Sequence, residues 1–216
     1  MIYGLHLYQA TLDISSEEFD RLWQLLSVDE RSRADKFKFE HLKRNFVAAR
    51  GNLREILAQT LNCQPADIQF SYSDRGKPYI QNQQIYFNLA HSQNLAIYAL
   101  CSDREVGIDV EYIKFKTDVD NIAQRYFSEA EQKLIQHLSN HPQEKYLAFY
   151  KAWVLKEAYG KATGQGIANV LDLDVASLLE TPTNKVIEIN GWMLKLIDTE
   201  LDIQSGYVAA VCIASH

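Results

Sequence analysis

Apolar residues recur at helical spacing in four stretches of the chain. In 15-SSEEFDRLWQLLS-27, Ser15 and Glu18 stand three apart, as in a capping box, ahead of Phe19, Leu22, Trp23 and Leu26. This predicts a short amphipathic helix. A longer stripe runs from Leu42 through Phe46, Leu53, Ile56, Leu57 and Leu61. Lys43, Arg44, Arg50 and Arg54 fill positions between, so the expected helix has a basic solvent side. The stretch 128-SEAE-131 repeats the capping-box spacing before Leu134, Ile135 and Leu138. Tyr146, Phe149, Tyr150 and Trp153 mark a fourth helix, from about Gln143 to Ala162.

Between and after these lie short runs rich in β-branched and aromatic residues. The runs 68-IQFSY-72, 85-IYFNL-89, 96-AIYALC-101 and 106-VGIDV-110 are separated by the turn-like 73-SDRGKP-78, 81-QNQQ-84 and 102-SDRE-105, and read as a sheet. Further strands are expected at 185-KVIEI-189, 192-WMLKLI-197 and 207-YVAAVCIA-214. Helices then strands therefore occur twice, and 96-AIYALCS-102 resembles 208-VAAVCIAS-215 in composition. The pattern predicts an α+β fold of two similar α/β halves, 1–105 and 106–216, packed as a pseudo-dimer with a ligand cleft between them.

Composition narrows the setting. A chain of 216 residues can bury roughly 70% of its unfolded surface without staples. Its three cysteines, Cys63, Cys101 and Cys212, are widely spaced and in no CxxC pattern, so neither a disulfide framework nor a zinc site is expected. The start MIYGLHLYQA lacks the basic and apolar regions of a signal peptide, and no apolar run approaches membrane-spanning length. A reducing cytoplasm and no membrane partner are expected. A net charge of -6 argues against general nucleic-acid binding while leaving room for a local basic pocket.

The chemistry concentrates around 106-VGIDVEYI-113. Residues two apart on a strand share a face, so Asp109 and Glu111 stand side by side and repel unless a cation lies near. In 149-FYKAWVLKEAYGKATG-164, Trp153, Glu157 and Lys161 share a helix face, with Lys156 adjacent. Alone, each feature reads as a solvated strand face or a surface ion pair. Together, three carboxylates could supply oxygen ligands to Mg²⁺, with lysines beside them for phosphate. Gly160, inside a helix, hints at a close approach. The turn 75-RGKP-78 offers two cations, and His91 lies just past a strand; a hairpin turn and a structural histidine are their plainer readings. His6, His41, His137, His141 and His216 form no metal spacing, and no G-x-S-x-G, P-loop or GxGxxG motif is present.

Four ordered elements resemble the surfactin-type (Sfp-like) 4'-phosphopantetheinyl transferases. They are 76-GKP-78, 87-FNLAHS-92, 107-GIDVE-111 and 153-WVLKEAYGK-161. The resemblance implies a pseudo-dimeric fold with coenzyme A and Mg²⁺ in the cleft. It implies Asp109, Glu111 and Glu157 as metal ligands and Lys156 and Lys161 as contacts of the coenzyme A phosphates. Asn88 and His91 would lie on the phosphate and nucleotide side, and Arg75, Gly76, Lys77 and Pro78 beside the adenine. Arg33, in 29-DERSRADKF-37, would meet the 3'-phosphate, with Lys36 or Arg44 as a second cation. Two positions depart from the family pattern: Ala90 replaces the usual serine, removing a hydroxyl worth about 1 kcal/mol, and Val154 follows the Trp.

The activity implied is transfer of the 4'-phosphopantetheine arm from coenzyme A to a serine of an apo acyl or peptidyl carrier protein, releasing 3',5'-ADP. Glu157 would act as base and Lys161 would assist the leaving nucleotide. The segment 112-YIKFKTDVDNIAQRYF-127, with Lys114, Lys116 and Arg125, is expected to meet the carrier, and the enzyme to be a cytoplasmic monomer of the holo-[acyl-carrier-protein] synthase type. A Mg²⁺-dependent nucleotide or coenzyme A phosphohydrolase and a non-catalytic coenzyme A or carrier-binding module are the alternatives.

Overall fold

The computed structural model describes residues 2–81, 84–170, 173–179, 185–197, 201 and 206–215. The predicted 81–84 turn lies partly outside them, as does His216. The chain opens with β1 (Leu5–Thr11), then α1 (Ser16–Leu25), α2 (Val28–Ala34) and the long α3 (Glu40–Leu61). Next come β2 (Phe70–Tyr72), β3 (Pro78–Ile80), β4 (Tyr86–Ser92), β5 (Leu95–Cys101) and β6 (Val106–Tyr112). Four helices follow: α4 (Val119–Tyr126), α5 (Glu129–His137), α6 (Pro142–Thr163) and α7 (Ala176–Leu179). The strands β7 (Val186–Ile189), β8 (Trp192–Leu196) and β9 (Tyr207–Ala214) come last.

Local chemistry sets several of these boundaries. The Ser15 side chain accepts the Glu18 N–H at the start of α1. Ser27 with Glu30 and Ser128 with Glu131 form reciprocal capping boxes on α2 and α5, each meeting two backbone donors that would otherwise be orphaned. Pro142 opens α6, where its missing N–H costs nothing. Gly164 in the left-handed conformation closes it.

The strands form two main sheets and a small hairpin. One sheet has the order β1-β5-β4, the other β6-β9-β8-β7, and β2 pairs with β3 alone; all pairings are antiparallel. Strand alternation then divides the core in three. On β5, Ala96, Tyr98 and Leu100 face the helices of the first half, including Leu53 and Leu57 of α3. On β9, Val208, Ala210 and Cys212 face Phe149, Val154 and Leu155 of α6 in the second. The opposite faces of both strands meet in a third core: Ile97, Ala99 and Cys101 with Ala209, Val211 and Ile213, joined by Val106, Ile108 and Val110 of β6. The two compositionally similar strands thus do the same job in each half. Burying each Leu, Ile or Val in this seam is worth about 1.5–3 kcal/mol, which ties the halves together.

The structure corrects one expectation about α3. Arg50 and Arg54 do not face solvent: both are buried, and Glu30 of α2 lies between them. Arg54 Nε is 2.7 Å from Glu30 Oε2 and also donates to the Pro65 and Ile68 carbonyls, while Arg50 donates to the Tyr72 hydroxyl. A helix enclosed by α1, α2 and the β2–β3 hairpin has little solvent side, so its arginines turn inward to a buried acid. The expected helices and strands otherwise form, and β1, α2, β3 and α4 join them; the four strands read as one sheet divide, however, β2 pairing only with β3 and β6 with β9, because β6 begins the second half.

Candidate active site

Residues 107, 109 and 111 of β6 point away from the seam core, toward α6. Gly107 is what lets the helix come near: a Cβ there would lie 2.2 Å from the Ala158 carbonyl oxygen and 2.3 Å from the Ala162 nitrogen. Both obstacles are backbone, so nothing larger than glycine fits. Asp109, the next residue on that face, therefore lies under the same helix. It is 5% exposed, and its Oδ1 is 2.7 Å from Lys161 Nζ.

Burial governs the charge of this cluster. Desolvation pushes the Asp109 carboxyl up to about 6; Lys161 opposes the shift, and Glu111 and Glu157 add to it. Glu157 is also shifted upward, by desolvation first, with Lys161 opposing and Glu111 reinforcing. The three carboxylates thus feel one another, and Lys161 is the cation among them. Asp109 Oδ2 is buried with no hydrogen-bond partner among the described residues. Glu111, at the open end of β6, accepts a 2.8 Å hydrogen bond from Ser92 Oγ of β4.

Among the described residues, no three His, Cys, Asp or Glu side chains stand close enough to hold an ion as they are. The donors still suit a hard cation: all are carboxylate oxygens, one is a buried orphan, and their charges are mutually unfavourable without a counter-ion. A large apolar groove along α5, α6 and α7, lined by Leu134, Leu138, Leu147 and Leu179, holds none of these acids.

The other sequence candidates divide. His91 sits at the solvent-facing rim, where partial desolvation and then Lys161 lower its pKa, with Glu111 opposing. The Arg75 guanidinium lies against Gly166, just beyond α6, so that a Cβ on Gly166 would be 2.8 Å from Arg75 Nη1. Gly76 and Pro78 form and leave the β2–β3 turn, closed by the Gly76 N–H to the Ser73 carbonyl. Lys77 reaches the junction of the halves, 2.9 Å from Glu105 and 3.0 Å from the Val106 carbonyl. Arg33 is exposed on α2 and stacks over Phe46, while Arg44 donates to the Ile14 carbonyl. The next residue, Asn45, reaches the Gln93 carbonyl beside the rim that carries His91.

Two candidates are not brought to the cleft. Lys156 is fully buried, 3.1 Å from Glu131 Oε2 and bonded to the Leu173 carbonyl. Successive helix residues differ by about 100°, so Lys156 and Glu157 cannot face the same side. Asn88 is buried as well, and its Oδ1 accepts the Ile108 N–H at 2.9 Å. Ala90 lies between the halves in the seam core, so the family departure there falls inside the protein.

Sequence reasoning missed Ser92 and the Glu131–Lys156 pair. A signal existed for each. Ser92 shares its strand face with Asn88, and Lys156 falls at helical spacing from Ala152, Tyr159 and Gly160, on an apolar face of α6.

This two-sheet architecture agrees with the comparisons to known proteins. Residues 105–212 match the 4'-phosphopantetheinyl transferase superfamily, and residues 12–103 match "4'-phosphopantetheinyl transferase, N-terminal". The 4'-phosphopantetheinyl transferase HetI of Nostoc sp. is 37% identical over 97% of this chain and 87% of its own length. The transferases ffp and Sfp of Bacillus subtilis are 30% and 28% identical, each over 99% of this chain and 92% of theirs. The chain belongs to the 4'-phosphopantetheinyl transferase family. Its function is transfer of the 4'-phosphopantetheine arm of coenzyme A to a carrier protein. No described helix is long and apolar enough to cross a membrane.

Proposed function

We propose that the enzyme works as two halves, 1–105 and 106–216, and that Asp109, Glu111 and Glu157 hold Mg²⁺ at their seam. The observation that carries this reading is the buried, unpartnered Asp109 Oδ2 beside two further carboxylates. Bound there, the ion would neutralise the acids and the coenzyme A pyrophosphate, lowering the charge barrier to attack. Lys161, now on Asp109, is free on the same helix face to turn to the phosphates.

The carrier serine oxygen forms a bond to the phosphorus nearer pantetheine, and the bond from that phosphorus to the oxygen of 3',5'-ADP breaks. Glu157, beside the attacking serine, takes its proton. Protonated Lys161 offsets charge on the departing nucleotide. His91 at the rim meets the phosphate and nucleotide side of coenzyme A. Arg33 and Arg75 offer exposed cations for the nucleotide end, and Gly76 to Pro78 shape the turn beside them.

The carrier meets the loop after β6. The Tyr150 hydroxyl accepts the Lys114 N–H, the Tyr146 hydroxyl donates to the Thr117 carbonyl, and Phe115 packs on Tyr146 yet stays 59% exposed. Lys114 and Lys116 flank this aromatic knob, a basic and apolar surface suited to an acidic carrier. The clients are apo acyl or peptidyl carrier proteins, as for a holo-[acyl-carrier-protein] synthase activity, and the enzyme acts as a cytoplasmic monomer. Steady-state rates with one acyl and one peptidyl carrier test this, using wild type and Lys114→Glu/Lys116→Glu. The reversal should raise carrier KM about tenfold and leave coenzyme A KM unchanged; an unchanged carrier KM would discard the surface.

A further inference from the structure

β4 and β6 are edge strands of different sheets, yet they run side by side. The Ala214 N–H to Glu105 and Ile113 N–H to Gly206 bonds fix which β6 residues bond to β9: residues 107, 109 and 111, by alternation. The N–H groups of Ile108, Val110 and Tyr112 therefore point outward, to β4. Side chains rather than backbone receive two of them. Asn88 Oδ1 accepts from Ile108 at 2.9 Å, and Ser92 Oγ accepts from Tyr112 at 3.1 Å. Ala90, between them on the same face, has no side-chain acceptor to offer Val110.

Ser92 does a second thing. While its oxygen accepts from Tyr112, its proton goes to Glu111 Oε2 at 2.8 Å. A buried hydroxyl of the first half thereby fixes both the strand edge and the carboxylate that the second half presents at the cleft. We propose that Ser92 is a positioning residue for Glu111, so that cation binding by the acidic cluster depends on the contact between the halves. The proposal rests on the reading of Glu111 as a cation ligand. It assigns Asn88 a different part, as a staple for the strand alone.

Mn²⁺ titration of the free protein, followed by the electron paramagnetic resonance of unbound Mn²⁺, separates these roles without reference to turnover. Wild type, Ser92→Ala, Asn88→Ala and Glu111→Gln are compared, with urea unfolding midpoints measured in parallel. Loss of the Ser92 hydroxyl should weaken Mn²⁺ binding about tenfold, as for other groups that orient a ligand. Glu111→Gln should weaken it at least as much, and Asn88→Ala should lower the midpoint with a smaller change in affinity. Normal affinity in Ser92→Ala with loss in Glu111→Gln would overturn the positioning role and leave the ligand reading intact. Normal affinity in Glu111→Gln would remove the ligand reading and the proposal with it. Equal losses in Ser92→Ala and Asn88→Ala, at equal drops in midpoint, would make Ser92 a seam contact only and overturn its specific role.

Discussion

Lys161 Nζ stands 2.7 Å from Asp109 Oδ1, across the narrow contact between α6 and β6. The ammonium does not fully offset the burial of the carboxylate, whose pKa remains raised, at about 6 against an ordinary 3.8. A raised carboxyl pKa means the folded protein holds a proton that the unfolded chain releases. The ionised group therefore weighs against folding above about pH 6, and has no effect below about pH 4, where both forms are protonated. Stability of the ion-free protein should fall as pH rises through this window. Asp109→Asn should match wild type near pH 4 and exceed it at pH 7.5, by about 1 to 3 kcal/mol, while losing transfer. Urea unfolding at the two pH values checks this; a variant no more stable than wild type at pH 7.5 would contradict it.

Lys156 and Glu131 make the opposite kind of pair, both fully buried and remote from solvent. Lys156→Met leaves Glu131 uncompensated and should cost about 3–5 kcal/mol. Adding Glu131→Gln should recover part of that loss. Unfolding curves of the single and double variants measure it. A stable Lys156→Met protein with a raised coenzyme A KM would instead put this lysine on the phosphates.

Gly107 carries the geometry of the cluster, because the α6 backbone rests on it. Gly107→Ala forces the helix off β6 and should destabilise by at least about 2 kcal/mol. Since α6 carries Glu157 and Lys161, turnover of the folded fraction should fall about 100-fold. Turnover corrected for the folded fraction decides: a normal value would show that the helix seat does not set the site.

Much of this was legible from local pattern. Ser128 and Glu131 gave the start of α5, and runs of β-branched and aromatic residues bounded by turns gave β4, β5, β6 and β9, because capping and strand preference depend on neighbours in sequence. The nearness of Glu157 and Lys161 on one helix face, and of Asp109 and Glu111 on one strand face, was legible for the same reason: two-residue and four-residue spacings fix a shared face. The destinations of single polar side chains were not. Arg50 and Arg54 looked solvent-facing until Glu30, on another helix, was seen between them. Lys156 looked like a phosphate ligand until α5 supplied Glu131, and Asn88 until β6 supplied a backbone donor. Short polar elements such as α2 and α4 carry too few apolar positions to reveal a period.

The proposed transfer runs on a divalent cation held by the seam carboxylates. Intact-protein mass spectrometry of an apo carrier protein incubated with coenzyme A, Mg²⁺ and enzyme tests it most directly, with EDTA and Asp109→Ala as controls. The carrier should gain one phosphopantetheine mass with wild-type enzyme, and none with EDTA or with Asp109→Ala. Full conversion in EDTA, or by a folded Asp109→Ala enzyme at the wild-type rate, would contradict it.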